Sequence, residues 1–176
     1  MKVDMNALMG ALDSVTMDES YHLDKQTGEV ILIVGEIGSN LDDFLDEEDD
    51  LTGPEEASAS FEERLAESDL ADWEKDDLRL RYRIEYDDTG RFVTVPSADS
   101  DEGYQDMEAF IETVGDEQLR NRLCRAIGGR GAFRMFKDTL TDYPEERERW
   151  FKFKDDRLRK RALDWLESLD IEPETD

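Results

Sequence analysis

The chain has 176 residues, 48 acidic against 22 basic, for a net charge of −26 at pH 7, and 38% of its residues are hydrophobic. That length allows one domain with a real core, and the apolar residues recur in periodic segments, so wholesale disorder is excluded. A single cysteine, Cys124, excludes an intramolecular disulfide framework; no apolar run reaches the roughly 20 residues that span a bilayer, and Met1–Gly10 lacks a signal-peptide pattern. The expectation is a single domain over 1–176, cytoplasmic, with no membrane contact.

In chain order, Asp4 can cap a short helix in which Met5, Leu8, Met9 and Leu12 follow the i, i+3, i+4, i+7 rule. Tyr21–Asp24 then leads through Thr27–Gly28, a turn pair that supplies positive φ, into Glu29–Val34, with five strong strand formers from Val30 on; this predicts a hairpin. Residues 39–58 read as an acidic, mobile connection, with Asp42, Asp43, Asp46, Glu47, Glu48, Asp49 and Asp50 in close succession.

Phe61–Tyr86 is ambiguous. Leu80, Tyr82, Ile84 and Tyr86 alternate as a strand would, yet Trp73, Leu80 and Ile84 also share a helical face and the composition favours helix, which is the reading preferred. Phe92–Val95, stopped by Pro96, predicts a short strand that extends the hairpin to three.

Residues 97–170 read as helical. Ser100 or Asp101 starts a helix bearing Met107, Phe110, Ile111 and Val114. After Gly115–Asp116 comes another with Leu119, Leu123, Cys124 and Ile127, and after Gly128–Gly131 a third with Phe133, Phe136 and Leu140. Pro144 sits at a first helical turn, and Asp155 is placed to cap a last helix through Leu158, Leu163, Trp165, Leu166 and Leu169. The fold class predicted is α+β: a small antiparallel sheet of two or three strands packed on a mostly helical C-terminal two-thirds.

The basic residues are unevenly placed. Fourteen lie between Arg120 and Arg161 with seven acids, a net of +7, while the rest of the chain holds 8 basic and 41 acidic residues, a net of −33. The acidic excess has two readings that composition leaves open, a partner-binding surface and adaptation to a saline cytoplasm, where carboxylate repulsion is screened. The cations of the window are expected to bridge helices to the acidic N-terminal half.

Several stretches together carry a resemblance: Tyr21-His-Leu-Asp24 with Thr27-Gly-Glu-Val30; Phe92-Val-Thr-Val-Pro96; Glu102-Gly-Tyr-Gln-Asp-Met-Glu-Ala-Phe110; Ala126-Ile-Gly-Gly-Arg-Gly-Ala-Phe133 with Phe136-Lys-Asp138; and Glu148-Arg-Trp-Phe-Lys-Phe153 with Arg161-Ala-Leu-Asp-Trp165. The chain resembles the bacterial uncharacterised protein family UPF0158 along nearly its whole length. The resemblance implies one small cytoplasmic domain. It implies no activity, so no catalytic residues follow from it.

Candidate chemistry is sparse. The Gly128–Gly131 turn offers an anion site, with Gly128, Gly129, Arg130 and Gly131 exposing a helix start and Arg134 and Lys137 nearby. A structural turn explains the same glycines, and the Gly-Lys-Ser/Thr ending of a P-loop is missing. Trp150–Lys154 interleaves aromatics with lysines as some nucleic-acid surfaces do, but Trp150 and Phe153 share a face and Phe151 joins Leu158 in a stripe, the pattern of a core. Trp150, Phe153, Trp165, Phe133 and Phe136 are therefore expected to be buried together.

Asp99, Asp101, Glu102 and Asp106 can pair carboxylates for acid–base work, although capping and solvation account for them too. One histidine and one cysteine leave no zinc constellation, the acidic run misses the EF-hand glycine and closing glutamate, and no cofactor motif appears. The leading functional reading is a non-catalytic interaction or adaptor protein with an unknown protein partner, meeting it near Gly128–Lys154. An enzyme or binder acting on a phosphorylated or nucleotide-like anion at Gly128–Arg134 is the alternative, and a nucleic-acid-binding module stands third, opposed by the −33 remainder.

Overall fold

The computed structural model describes residues 1–16, 18–35, 40–45 and 54–173, the side chains of 54–56 excepted. Its elements are α1 (Met5–Leu12), β1 (Glu19–Asp24), β2 (Val30–Val34), a 3-10 turn (Leu41–Phe44), α2 (Pro54–Glu67), α3 (Asp72–Glu85), β3 (Phe92–Thr94), α4 (Ser100–Thr113), α5 (Glu117–Ile127), α6 (Ala132–Thr141) and α7 (Pro144–Ser168). The class is α+β, a three-stranded antiparallel sheet with a mostly helical C-terminal part. The chain forms two compact units, 17–26 with 31–94, and 1–16 with 27–30 and 95–176.

In the first of these units the sheet order is β2-β1-β3, so the third strand joins the hairpin on the β1 side. β1 and β3 run antiparallel with Leu23 opposite Val93 and Asp24 opposite Phe92. Asp24, only 4% exposed, is gripped by Arg91 through Nε at 2.8 Å and Nη2 at 2.6 Å. A buried carboxylate needs such a partner, and a two-point guanidinium grip fixes direction as well as charge.

Phe61–Tyr86 is helical, as the composition favours, but it is two helices. The break lies at Ser68–Ala71, where the Lys75 Nζ donates to the carbonyls of Ala66 and Ser68 at the end of α2, and Glu74 accepts from the Ala71 amide at the start of α3. Those bonds satisfy backbone groups that a helix end leaves open. Leu41, Phe61, Leu65 and Leu78 form the core here, with Tyr82 packed against it. Trp73, which the pattern placed on the apolar face with Leu80 and Ile84, is 63% exposed; Leu78 is the fully buried member of α3 instead. In the stretch expected to be an acidic connection, 41–44 form the 3-10 turn and 54–58 belong to α2; residues 39 and 46–53 lie outside the described residues.

The helical unit gathers α1 and α4–α7. Asp4 caps α1 through the amides of Asn6 and Ala7, as expected. α4 starts at Ser100, as expected, with Asp99 as its cap, and Asp116 caps α5. The hairpin turn depends on Gly28: its φ is +79°, and an added Cβ would lie 2.0 Å from the Lys2 carbonyl oxygen. No other residue fits that position without moving the backbone.

The core is Met107, Phe110, Ile111, Val114, Leu119, Leu123, Ile127, Phe136, Leu140 and Trp150. Phe110, Phe136 and Trp150 meet edge-to-face, with ring centroids 4.8–6.1 Å apart. That geometry is the favoured one for aromatic pairs.

Three expectations need correction. Asp155 caps nothing: it lies inside α7, one uninterrupted helix of 25 residues. Phe151 is 51% exposed beneath the Arg147 guanidinium rather than in a stripe with Leu158. Phe133 is 44% exposed, while Phe153 and Trp165 are only partly buried, so of the five aromatics expected inside, Phe136 and Trp150 are the ones fully enclosed. Both reversals arise because α6 and α7 each offer the core a narrow stripe, and Phe133 and Phe151 fall just outside it.

Candidate functional site

Where α4 and α7 face each other, two i, i+4 pairs interlock. Glu102 and Asp106 stand one turn apart on α4; Arg157 and Arg161 stand one turn apart on α7. Asp106, only 2% exposed, accepts from Arg157 Nε at 2.7 Å and pairs with Arg161 Nη2 at 2.8 Å, while Arg161 Nε reaches Glu102 at 3.1 Å. One turn earlier on α7, Lys154 Nζ donates to Asp13, just past α1, at 2.5 Å.

Beside this network lies a cleft of about 400 Å³, floored by Leu12, Trp150 and Leu158 and edged by Val15, Phe133 and Lys137. Gly103 makes room for its wall: a Cβ there would sit 2.9 Å from Phe133 Cε1 and 3.1 Å from its Cζ, so the outer edge of the ring closes on α4. Val15 is 79% exposed at the lip.

Asp99, Glu102 and Asp106, three of the four carboxylates that the sequence nominated, line this cleft. None is poised as a base: Asp99 accepts the Asp101 amide at the head of α4, and the other two are held by arginines. Those cations of Arg120–Arg161 that form ion pairs among the described residues do so inside the helical unit. Besides the α4 and α1 partners, Arg122 bonds Tyr143 and Asp142, and Arg149 bonds Glu146. Of the bridging expected to the acidic N-terminal half, the described residues show Lys154 to Asp13, while Arg157 and Arg161 bridge to α4. An i, i+4 acid pair matched by an i, i+4 arginine pair was the available signal for this network, but the pattern is common on solvated helices and nothing in the sequence joins α4 to α7.

The six residues proposed at the turn divide. Gly128 ends α5 with φ −74°, so it is not the left-handed residue; Gly131, at φ +77°, is, and it begins α6 without a side-chain cap. Gly129 and Arg130 are exposed. Arg134 is 88% exposed and leans to Asp138 at 3.7 Å. Lys137 lies at the cleft, and among the described residues it has no ion pair.

Among the described residues no group of three or more His, Cys, Asp or Glu side chains is arranged to hold a metal ion, and no helix is long and apolar enough to cross a membrane.

Comparison with known proteins places these features in a family. A curated uncharacterised protein of Pseudomonas aeruginosa, itself named for the family UPF0158, is 39% identical over 67 residues, 38% of this chain and 44% of that protein. The chain thus spans less than half the length of that relative. No solved structure matches. The model of the uncharacterised protein family UPF0158 matches residues 60–176, from within α2 through α4–α7 to the end. The chain belongs to that family.

Proposed function

We propose that the protein is a non-catalytic interaction protein of a reducing cytoplasm, engaging a partner protein at the cleft of its helical unit. One observation carries the reading: every nominated carboxylate at the cleft is tied down as a cap or an ion-pair partner, while apolar side chains stand exposed at the lip. Catalysis by general acid and base needs a group free to trade protons; binding needs apolar area that water leaves readily. The exposed free thiol of Cys124 agrees with a reducing compartment. The test is partner recovery by the full chain at native salt. Val15→Asp and Phe133→Asp should lose a partner that Trp73→Asp, altered in the other unit, retains. Equal recovery by all three variants would remove the cleft from the interaction.

A second reading rests on the Gly128–Arg134 turn. Gly131 opens α6 with no side-chain cap, so backbone amides and Arg130 can receive a small anion. Phosphate should then raise the melting temperature beyond a chloride control of equal ionic strength, and the excess should vanish in Arg130→Ala. An excess that survives in the variant is general exclusion from the surface and not binding.

A further inference from the structure

We propose that a second cleft, in the unit of 17–26 with 31–94, takes an arginine side chain from a basic segment of a partner protein, its guanidinium stacked on the ring of Tyr86. This goes beyond the interaction reading above and does not rest on it.

A column of rings carries the proposal. Tyr82 lies on α3 and Tyr86 closes that helix one turn later. Phe61 of α2 stacks on Tyr82 with 4.3 Å between centroids and 11° between planes, and Tyr82 stacks on Tyr86 at 4.7 Å and 26°. The column runs outward from the core, from Phe61 at 1% exposure to Tyr86 at 48%. Its outer end lines a cleft of about 980 Å³. An aromatic ring carries negative charge on its face, and a guanidinium is flat enough to lie on it.

Charge sets the sign of the ligand. Glu62, Asp76, Asp87 and Asp88 line the cleft against Arg79, Arg83 and Arg91. Arg79 is held by Glu62 and Asp76 at 3.0 Å each, and Arg91 by Asp24 at 2.6 Å. With Asp24 counted, five carboxylates stand against three guanidinium groups. Asp87 and Asp88 follow Tyr86 directly in the chain, and Asp87 is fixed by the Thr89 hydroxyl at 2.6 Å and the Phe92 amide at 2.8 Å. The surroundings have the same sign: 17–26 with 31–94 hold 24 acidic and 7 basic residues, a net of −17. Such a field repels a phosphate or a carboxylate and draws in a cation.

Arginine fits the site better than lysine. Its planar fork can stack on the ring while donating in its own plane to carboxylates beside it, whereas an ammonium is a strongly hydrated point charge. The cleft is also open, with Arg83, Tyr86 and Asp88 all exposed, so it does not enclose a free small cation as ligand pockets do. A segment that carries further cations gains from the acidic surface around it.

The experiment measures the fluorescence anisotropy of two labelled peptides on the full chain at about 0.15 M KCl. One alternates Arg with Ser and the other Lys with Ser, at equal length and charge. The Arg peptide should bind about fivefold more tightly, the size of one exposed cation–π contact. Tyr86→Leu should bring it to the affinity of the Lys peptide, while Tyr86→Phe should keep the difference. Trp73→Leu, at an exposed ring of α3 that does not line the cleft, should keep it too. Circular dichroism confirms that each variant is folded. In the wild type the Arg peptide should shift the Tyr86 ring-proton signals and the Lys peptide should not, a readout that needs no variant. Equal binding of the two peptides reduces the effect to general charge attraction and overturns the inference. A difference that survives in Tyr86→Leu, or unmoved Tyr86 signals, overturns it as well. If neither peptide binds and the chain instead self-associates in a way that Tyr86→Leu abolishes, the partner is overturned and the cleft belongs to the basic residues of a second copy.

Discussion

Asp106 is the residue on which the helical unit's polar interior turns. Its carboxylate is buried against two guanidinium groups whose side chains remain 40% and 22% exposed. Asp106→Ala leaves both cations without their anion, and because they keep some water the cost should fall below that of a fully buried pair, at about 2–3 kcal/mol. Urea unfolding measures it directly, as a lower midpoint at unchanged slope. His22 offers a second single-residue test. Half-buried in β1, with Nε2 3.1 Å from Ser20 Oγ and Nδ1 3.4 Å from Thr94 Oγ1, it has its pKa held below the usual 6.5 by burial. The fold disfavours the imidazolium, so the stability contributed by the neutral ring is complete above pH 6.5 and is lost as pH falls through the folded-state pKa. The urea midpoint should drop between pH 7.5 and 5.5, and His22→Gln should flatten that drop. An identical drop in the variant would place the titration elsewhere.

At the scale of elements, α7 shows what a helix stripe does to its neighbours. Trp150, Leu158, Ala162 and Leu166 are its buried residues, and Phe151, one position from Trp150, points out. Trp150→Ala should cost about 3–5 kcal/mol through the cavity it leaves among Phe110, Phe136 and Phe153, while Phe151→Ala should cost less than about 1 kcal/mol. Comparable losses at both would contradict the burial pattern. The same helix marks the limit of what the residues alone disclose. The apolar repeats of α1, α4, α5 and α6 and the strand-forming run of β2 were legible because local periodicity states them. The hairpin was legible because Thr27–Gly28 can adopt its turn. What was not legible came from tertiary choice. Asp155 is a good capping residue with acceptable helix propensity, and only packing on both sides of it decides that α7 continues. Phe133 is apolar at helical spacing, yet it falls outside the stripe that α6 gives the core, and the missing side chain at Gly103 leaves room for its ring at the cleft wall. The acid pair of α4 and the arginine pair of α7 are each visible, but their union is a contact 51 residues apart for Asp106 and Arg157.

For the molecule as a whole, charge is the dominant variable. At low ionic strength 48 carboxylates repel one another, and screening shortens the reach of that repulsion from ~30 Å at 0.01 M to ~3 Å at 1 M. The ion pairs of the helical unit weaken on screening too, but the most buried of them is shielded from solvent and loses least. Stability should therefore rise with KCl from 0.05 to 2 M, read as the urea midpoint; a flat or falling midpoint would leave the acidity to be explained as a binding surface. Contact order carries a different consequence. α1 is held in the same compact unit as 95–176, tied through Asp13 to Lys154, 141 residues downstream. On the ribosome α1 emerges well before α7, so its apolar face must wait while the chain between the two helices is made. At about 5–20 residues per second, that wait lasts many seconds, during which Leu8, Met9 and Leu12 stand open to chaperones or to wrong neighbours. Synthesis pauses that delay α7 should therefore lower soluble yield more than pauses placed after it.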